Sequence, residues 1–309
     1  MTKFCEITSG LKFPEGPVAM PDGSVVLTEI GGNCITRVFP DGRKQVVSKN
    51  GGGPNGAALG PDGKLYVCNN GGLKWHIENN TYRSIGTPDD YTGGRIERVD
   101  LDTGKVEVLY RECNGNRLCG PNDIVFDKSG NFWFSDYGKT RARDMDRGGI
   151  YYAKPDGSAI VEAMHPVMGP NGIGLSPDEK TLYIAETEAS RLWRYDVLGP
   201  GQLSREPFPS PNGGKLVHGL GGFQRYDSMA LEANGNVCIA TLVRGGITVI
   251  SPDGKLVEEV PLPDLYVTNI CFGGPDLRTA FITLSYEGRL VAMDWPRPGL
   301  PLNFLNKKP

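Results

Sequence analysis

The sequence contains no run of 18 or more apolar residues, so nothing in it would cross a membrane as a helix. The first residues, Met1-Thr2-Lys3-Phe4-Cys5-Glu6, carry no apolar segment of the kind a signal peptide needs, and the chain reads as cytoplasmic. Positive charge is not in excess. There are 33 Lys and Arg against 36 Asp and Glu, giving a net charge of −3, without the basic footprint of a nucleic-acid protein. The seven cysteines are an odd number and none forms a C-x-x-C pair. They read as reduced thiols, although Cys113 and Cys119 flank a Gly/Asn loop that a bridge could close. No G-x-S-x-G elbow occurs, and Ser228 has no histidine beside it in sequence, which argues against a serine hydrolase. Histidine is scarce, with three residues at 76, 165 and 218.

Glycine and proline are abundant. The 43 Gly and 24 Pro are about twice and one and a half times ordinary usage. They follow no collagen-like period, and 39% apolar content is too high for a disordered chain, so they mark turns in a folded protein. One motif recurs six times: a polar residue, an apolar run, a D-G-type turn and a second apolar run. The copies span 15–27, 55–67, 122–134, 171–184, 227–239 and 269–282. Counted from the leading polar residue, Gly falls at the same offset in four copies (Gly23, Gly63, Gly130, Gly235). Asp falls one place earlier in four (Asp22, Asp62, Asp178, Asp276). An apolar run on each side of D-G is a hairpin signal.

Each copy is followed by a segment alternating apolar and polar residues, clearest in Gly94-Arg95-Ile96-Glu97-Arg98-Val99-Asp100. Period two marks a strand with one buried face. Two hairpins per unit, at about 50 residues per unit, predict an all-β fold: a six-bladed propeller with four-stranded blades. The last unit lacks a fourth strand, and Lys3-Phe4-Cys5-Glu6-Ile7 is expected to supply it and close the ring. Residues 1–295 then form one domain, with 296–309 a Pro-rich tail over the surface.

The leading polar residues are Glu15, Asn55, Asn122, Asn171, Asp227 and Asn269. Equivalent positions of all blades converge on the propeller axis, so six side-chain oxygens are expected around one mouth of the channel. Oxygen-only ligands suit a hard divalent cation such as Ca2+, with Zn2+, Mn2+ or Fe2+ as alternatives. Asn before Gly is also an ordinary turn residue, so the set carries the expectation rather than any one Asn. Segments after each second strand return to the same mouth, which brings in Asn70, Tyr137 and Glu186. The long connection 69–93, with Trp75, His76, Tyr82 and Tyr91, could cap the site. Arg117 and His218 precede leading residues in blade-to-blade connections. His76 and His218 are candidates for proton transfer or substrate contact, and His165, before a proline, reads as structural. Gly51-Gly52-Gly53-Pro54-Asn55-Gly56 begins a strand rather than a helix, so it is not a nucleotide loop.

Phe13-Pro14-Glu15-Gly16-Pro17, Gly120-Pro121-Asn122-Asp123, Gly169-Pro170-Asn171-Gly172-Ile173, Tyr183-Ile184-Ala185-Glu186-Thr187, Arg225-Tyr226-Asp227-Ser228 and Thr268-Asn269-Ile270-Cys271-Phe272-Gly273-Gly274 together resemble the senescence marker protein/gluconolactonase/luciferin-regenerating enzyme family. The resemblance covers about residues 10–295. It implies a six-bladed propeller and a bound divalent cation, usually calcium. The family's ligands fall on Glu15, Asn171 and Asp227, with Asn122 at the metal or the substrate and Asn55 and Asn269 ranked lower. Gly120 stands where regucalcin-like members carry an Arg. The implied activity is hydrolysis of a small lactone, with the cation polarising the carbonyl, Asp227 as general base, and Asn122 and Asn171 orienting substrate and metal. A related esterase or organophosphate hydrolase, a lyase, or a non-enzymatic propeller with a structural calcium remain open alternatives.

Overall fold

The computed structural model describes residues 3–307. Six antiparallel sheets form the ring. The first is Pro14–Ala19, Val25–Glu29, Cys34–Val38 and Lys44–Lys49. The second is Pro54–Leu59, Leu65–Asn69, Arg95–Val99 and Val106–Tyr110. The third is Pro121–Phe126, Phe132–Asp136, Gly148–Ala153 and Ile160–Val167. The fifth is Arg225–Leu231, Val237–Leu242, Gly246–Ile250 and Leu256–Pro261. The innermost strands touch one another in cyclic order, the sixth against the first.

The sixth blade, Val267–Gly273, Thr279–Leu284 and Arg289–Asp294, takes its outer strand from Cys5–Thr8 at the other end of the chain. Cys5 pairs with Ala292 and Thr8 with Leu290. The fourth blade departs from four strands. It holds Pro170–Leu175, Thr181–Glu186, Arg191–Gly199 and Lys215–Gly219, plus Gln202–Leu203. Arg191–Gly199 is nine residues long, enough to pair Lys215–Gly219 along its first half and Gln202–Leu203 beyond it.

The turns follow from local chemistry. In the first blade Asp22 accepts the Ser24 N–H at 3.0 Å, and Gly23 takes the left-handed φ of 84° that a side chain would resist. Burial is divided into six apolar clusters, one between each pair of neighbouring blades. Val18, Val26 and Ile35 meet Leu65, Val67 and Val99 between the first two, and Trp133 and Ile150 meet Leu182 and Trp193 between the third and fourth. Each blade is therefore held by both neighbours, and the ring stabilises as a unit.

All seven cysteines are free. Cys113 and Cys119 do not bridge: the Cys113 thiol is buried toward the Ile160 carbonyl at 3.8 Å, and the Cys119 thiol turns to the Arg117 carbonyl at 3.6 Å. The C-terminal segment is no loose extension. Trp295 is buried, Leu300 N donates to Leu231 O at 2.8 Å, and Asn303 reaches Phe126 O and Glu179. Its apolar side chains, Leu300, Leu302 and Leu305, face the inner strands and close the far end of the channel around a cavity of about 110 Å³. No helix among the described residues is long and apolar enough to cross a membrane.

Candidate active site in the channel mouth

The leading residues are aimed by the backbone. In five blades the ladder slips at or just after the leading residue: between Glu15 and Val18, Pro54 and Ala57, Pro121 and Ile124, Pro170 and Ile173, and Tyr226 and Met229. Such a bulge re-aims a side chain, and here it turns each one toward the axis. In the sixth blade the slip comes earlier, between Val267 and Asn269, so Asn269 points elsewhere.

Blades are also tied to one another at this level. Thr28 donates to Asn55 O at 2.7 Å, Ser135 to Asn171 O at 2.5 Å and Ser285 to Pro14 O at 2.5 Å. Gly56 lets the third blade approach, since a Cβ there would lie 2.4 Å from Asn122 O.

Glu15, Asn55, Asn122, Asn171 and Asp227 line one cavity of about 740 Å³ at the mouth, and all five are buried. Glu15 accepts from Gly16 N and Asn269 Nδ2, both at 2.7 Å and both on Oε2. Ser228 donates to Asn171 Oδ1 at 3.3 Å. Among the described residues the side-chain amides of Asn55 and Asn122 have no hydrogen-bond partner. Directly after Asn122, Asp123 accepts from Ile124 N and Ile173 N.

Three buried carboxyls thus stand close enough to perturb one another. Burial, then the Asp227 charge, pushes Glu15 well above the usual carboxylate range. Burial raises Asp227 to about 8, eased by Asn171 and added to by Asp123. Burial raises Asp123 to about 7.

Among the described residues no three His, Cys, Asp or Glu side chains make a metal cluster by themselves. Amides must therefore complete any ligand set around Glu15 and Asp227. Converging carboxylates with unpartnered amide oxygens fit a hard cation, whose charge would offset their mutual repulsion.

A pH test follows. In metal-free protein these carboxyls have raised folded-state values, so the folded state holds protons that the unfolded chain has released. Stability is then fullest below the unfolded carboxylate value near 4 and falls as pH rises through about 7 to 8. Thermal unfolding in chelator should show the midpoint dropping over that window. Saturating Ca2+ should remove the drop.

The structure separates the remaining candidates. Asn70 and Tyr137 line the cavity. Asn70 Oδ1 accepts from Gly72 N at 2.8 Å, and Tyr137 donates to Glu188 at 2.5 Å. Asn269 does not reach the mouth and serves to hold Glu15. Glu186 is also outside the cavity: its carboxylate turns into the blade and accepts Trp193 Nε1 at 2.9 Å.

His76 lies on the exposed side of the hairpin Lys74–Glu78/Thr81–Gly86, 3.7 Å from Glu78. His218 sits on the outer strand of the fourth blade, 2.9 Å from the Tyr226 hydroxyl, with its pKa lowered by burial. Arg117 is exposed on the short ribbon Glu112–Cys113/Asn116–Arg117. None of these three lines the cavity. His76 lies in a connection within the second blade, His218 on an outer strand and Arg117 between the second and third blades, and none of these positions brings its side chain to the axis.

The 69–93 connection folds as that hairpin rather than a loose loop. Trp75 packs on Phe13 and Tyr82, and Leu73, Lys74 and residues 84–87 form one wall of the cavity. Residues 139–142 and Met145 form another. Sequence reasoning passed over Asp123, Glu188 and Arg225, and in the returning segment 136–139 it singled out Tyr137 rather than Lys139. Asp123 had a signal, because it follows the leading residue where three other copies carry Gly (Gly16, Gly56, Gly172).

Comparison with known proteins bears on the fold and the family. The SMP-30/Gluconolactonase/LRE-like region is matched over residues 13–286. A gluconolactonase of Zymomonas mobilis is 28% identical over 307 residues, covering 91% of this chain and 78% of its own. The structure of a gluconolactonase from Xanthomonas campestris superposes with TM-score 0.74 at 22% identity, covering 95% of this chain and 89% of that one. A calcium-binding protein, regucalcin, from Agrobacterium tumefaciens superposes with TM-score 0.73 at 18% identity, covering 99% of each. At these identities the structural likenesses establish the fold. The match over residues 13–286 spans most of the sequence, and the chain belongs to the SMP-30/gluconolactonase/LRE-like family.

Proposed function

We propose that this protein is a metal-dependent carboxylic ester hydrolase that opens a small lactone in the channel mouth. The observation that carries the proposal is the convergence of Glu15, Asp227, Asn122 and Asn171 on one cavity, with Asp123 beneath and all three carboxyls raised by burial. Relatives named gluconolactonase support the lactone substrate, and the calcium-binding regucalcin neighbour supports Ca2+ as the ion.

Glu15, Asn171, Asp227 and Asn122 would hold the cation. Bound there, it supplies positive charge that polarises the lactone carbonyl and stabilises negative charge developing on its oxygen. Asn269 keeps Glu15 oriented through its 2.7 Å hydrogen bond. Asp227 takes the proton from the attacking water as general base. Asn122 and Asn55, with amides unpartnered in the protein, hydrogen-bond the substrate. Asn70 and Tyr137 complete the wall, and the hairpin in that wall limits the water around the ester. Ring opening leaves a carboxylate and a hydroxyl.

The test is hydrolysis of sugar lactones and simple γ- and δ-lactones by pH-stat, with chelated protein and with Ca2+, Zn2+, Mn2+ or Fe2+ restored. Turnover is expected only with metal, and the favoured lactone defines the substrate. Metal-independent turnover, or none with any ion in a protein that still binds one tightly, would refute the proposal.

A further inference from the structure

Lys139 lies three residues beyond the end of Phe132–Asp136, in the wall of the same cavity, and is only 4% exposed. Its ammonium donates to Gly72 O at 2.7 Å and sits 5.1 Å from the centre of the Tyr91 ring. An ammonium has three N–H donors, of which the Gly72 carbonyl takes one while the Tyr91 ring offers only its face. Among the described residues no carboxylate oxygen comes within 4.0 Å of it. The other cations of this wall are paired: Lys74 with Asp89 at 3.2 Å, Arg141 with Asp146 at 2.7 Å and Arg225 with Glu188 at 3.4 Å. A buried ammonium with an open donor is costly unless a further acceptor completes it.

We infer that Lys139 is a substrate-binding residue whose open N–H donates to an oxygen substituent of the substrate, so that the site selects oxygenated lactones over bare rings. The inference rests on the lactonase proposal for its choice of substrates. It assigns Lys139 a role distinct from that of the carboxylate centre. The groups around Lys139 are known. Asp136 is held by Cys119 N, Gly120 N and Gly138 N. Cys119 and Asp146 also act on Lys139, which lies over the Tyr91 ring, itself near Arg141. Burial lowers Lys139 to about 8, with Asp136, Cys119 and Asp146 pulling the other way. The charged donor is therefore present at neutral pH and lost as pH rises through about 8.

A merely structural Lys139, clamping the third blade to Gly72 and Tyr91, makes a different forecast, because loss of the clamp would weaken every substrate alike. The experiment compares kcat and KM of wild type and Lys139→Met, both metal-loaded, on glucono-δ-lactone and unsubstituted δ-valerolactone. The ratio of the two kcat/KM values is expected to fall about 10- to 100-fold in the variant, the worth of one hydrogen bond to a charged group, chiefly through KM. An unchanged ratio overturns the inference. In wild type the ratio should also fall above about pH 8, which decides the matter if the variant does not fold.

Calorimetric titration with D-gluconate, which carries the hydroxyls but no ester, gives a readout without turnover. Binding about tenfold weaker in Lys139→Met supports the role. Equal binding, or none by wild type, overturns it. Gluconate binding lost in the variant, with neither lactone hydrolysed by wild type, would sink the lactonase proposal and leave Lys139 standing.

Discussion

Asp227→Asn is expected to lower metal-dependent lactone turnover by about 10³-fold or more. Losing a general base alone costs roughly 10²–10⁴-fold, and the same substitution removes one of the two carboxylates, Glu15 and Asp227, proposed to hold the cation. The variant keeps the shape of the site, so the ring should fold. It should do better than fold when metal is absent. Asp227 is held near 8 by burial and by Asp123, and a neutral amide removes that repulsion. In chelator at pH 8 the variant should therefore unfold at a higher temperature than wild type, and added Ca2+ should no longer raise its midpoint. Kinetics and thermal unfolding on one preparation check both halves. Full activity in Asp227→Asn, or a Ca2+ shift equal to that of wild type, would place the cation elsewhere.

Arg297→Ala is expected to cost about 3–5 kcal/mol of unfolding free energy, the range for stranding one member of a buried ion pair. Glu232 is fully buried in the fifth blade. Its carboxylate accepts from Asn236 Nδ2 at 2.8 Å, Trp295 Nε1 at 2.8 Å and Arg297 Nε at 2.7 Å. Burial alone would raise Glu232, but Arg297, Trp295 and Asn236 outweigh it and the net shift is downward. A depressed carboxyl contributes stability above the unfolded value, and that contribution is lost as pH falls through the folded one.

Urea unfolding at pH 7 measures the loss in Arg297→Ala, and the gap from wild type should narrow in acid. Glu232→Gln with Arg297→Ala should recover part of the loss, because no buried charge is then stranded. A change below about 1 kcal/mol in the single variant would show that the C-terminal segment contributes little to holding the ring.

The architecture was legible because it repeats. D-G turns at fixed phase and period-two strands specify hairpins from local chemistry, and six such units leave little choice of fold. The same phase picked out Glu15, Asn55, Asn122, Asn171 and Asp227, since a repeated bulge carries a repeated position to the same place. Asn269 shares the phase in sequence but not the bulge, and only pairing register distinguishes it.

The outer wall was not legible. His76 and Arg117 sit in connections of unequal length, where no repeat constrains direction, and His218 falls on the outer strand of the fourth blade, away from the axis. Glu186 and Asp136 both end second strands, and both carboxylates turn away from the cavity, Glu186 to Trp193 and Asp136 to the Cys119, Gly120 and Gly138 N–H groups. Lys139 belongs to 136–139, a segment that the repeat returns to the mouth, but its burial was not legible because it depends on Gly72 and Tyr91 from a different blade. The docking of the tail likewise depends on partners far away in sequence, Glu232 and Phe126.

The central claim is that one cation, held by Glu15, Asn122, Asn171 and Asp227, makes the mouth a hydrolytic site. Stoichiometric titration of chelated protein with Ca2+, following lactone turnover and bound ion in the same samples, tests it most directly. The account predicts that activity rises in proportion to bound ion, reaches its plateau at one ion per chain, and is lost together with binding in Glu15→Gln. Turnover that survives complete chelation, or that keeps rising after the first ion is bound, would contradict it.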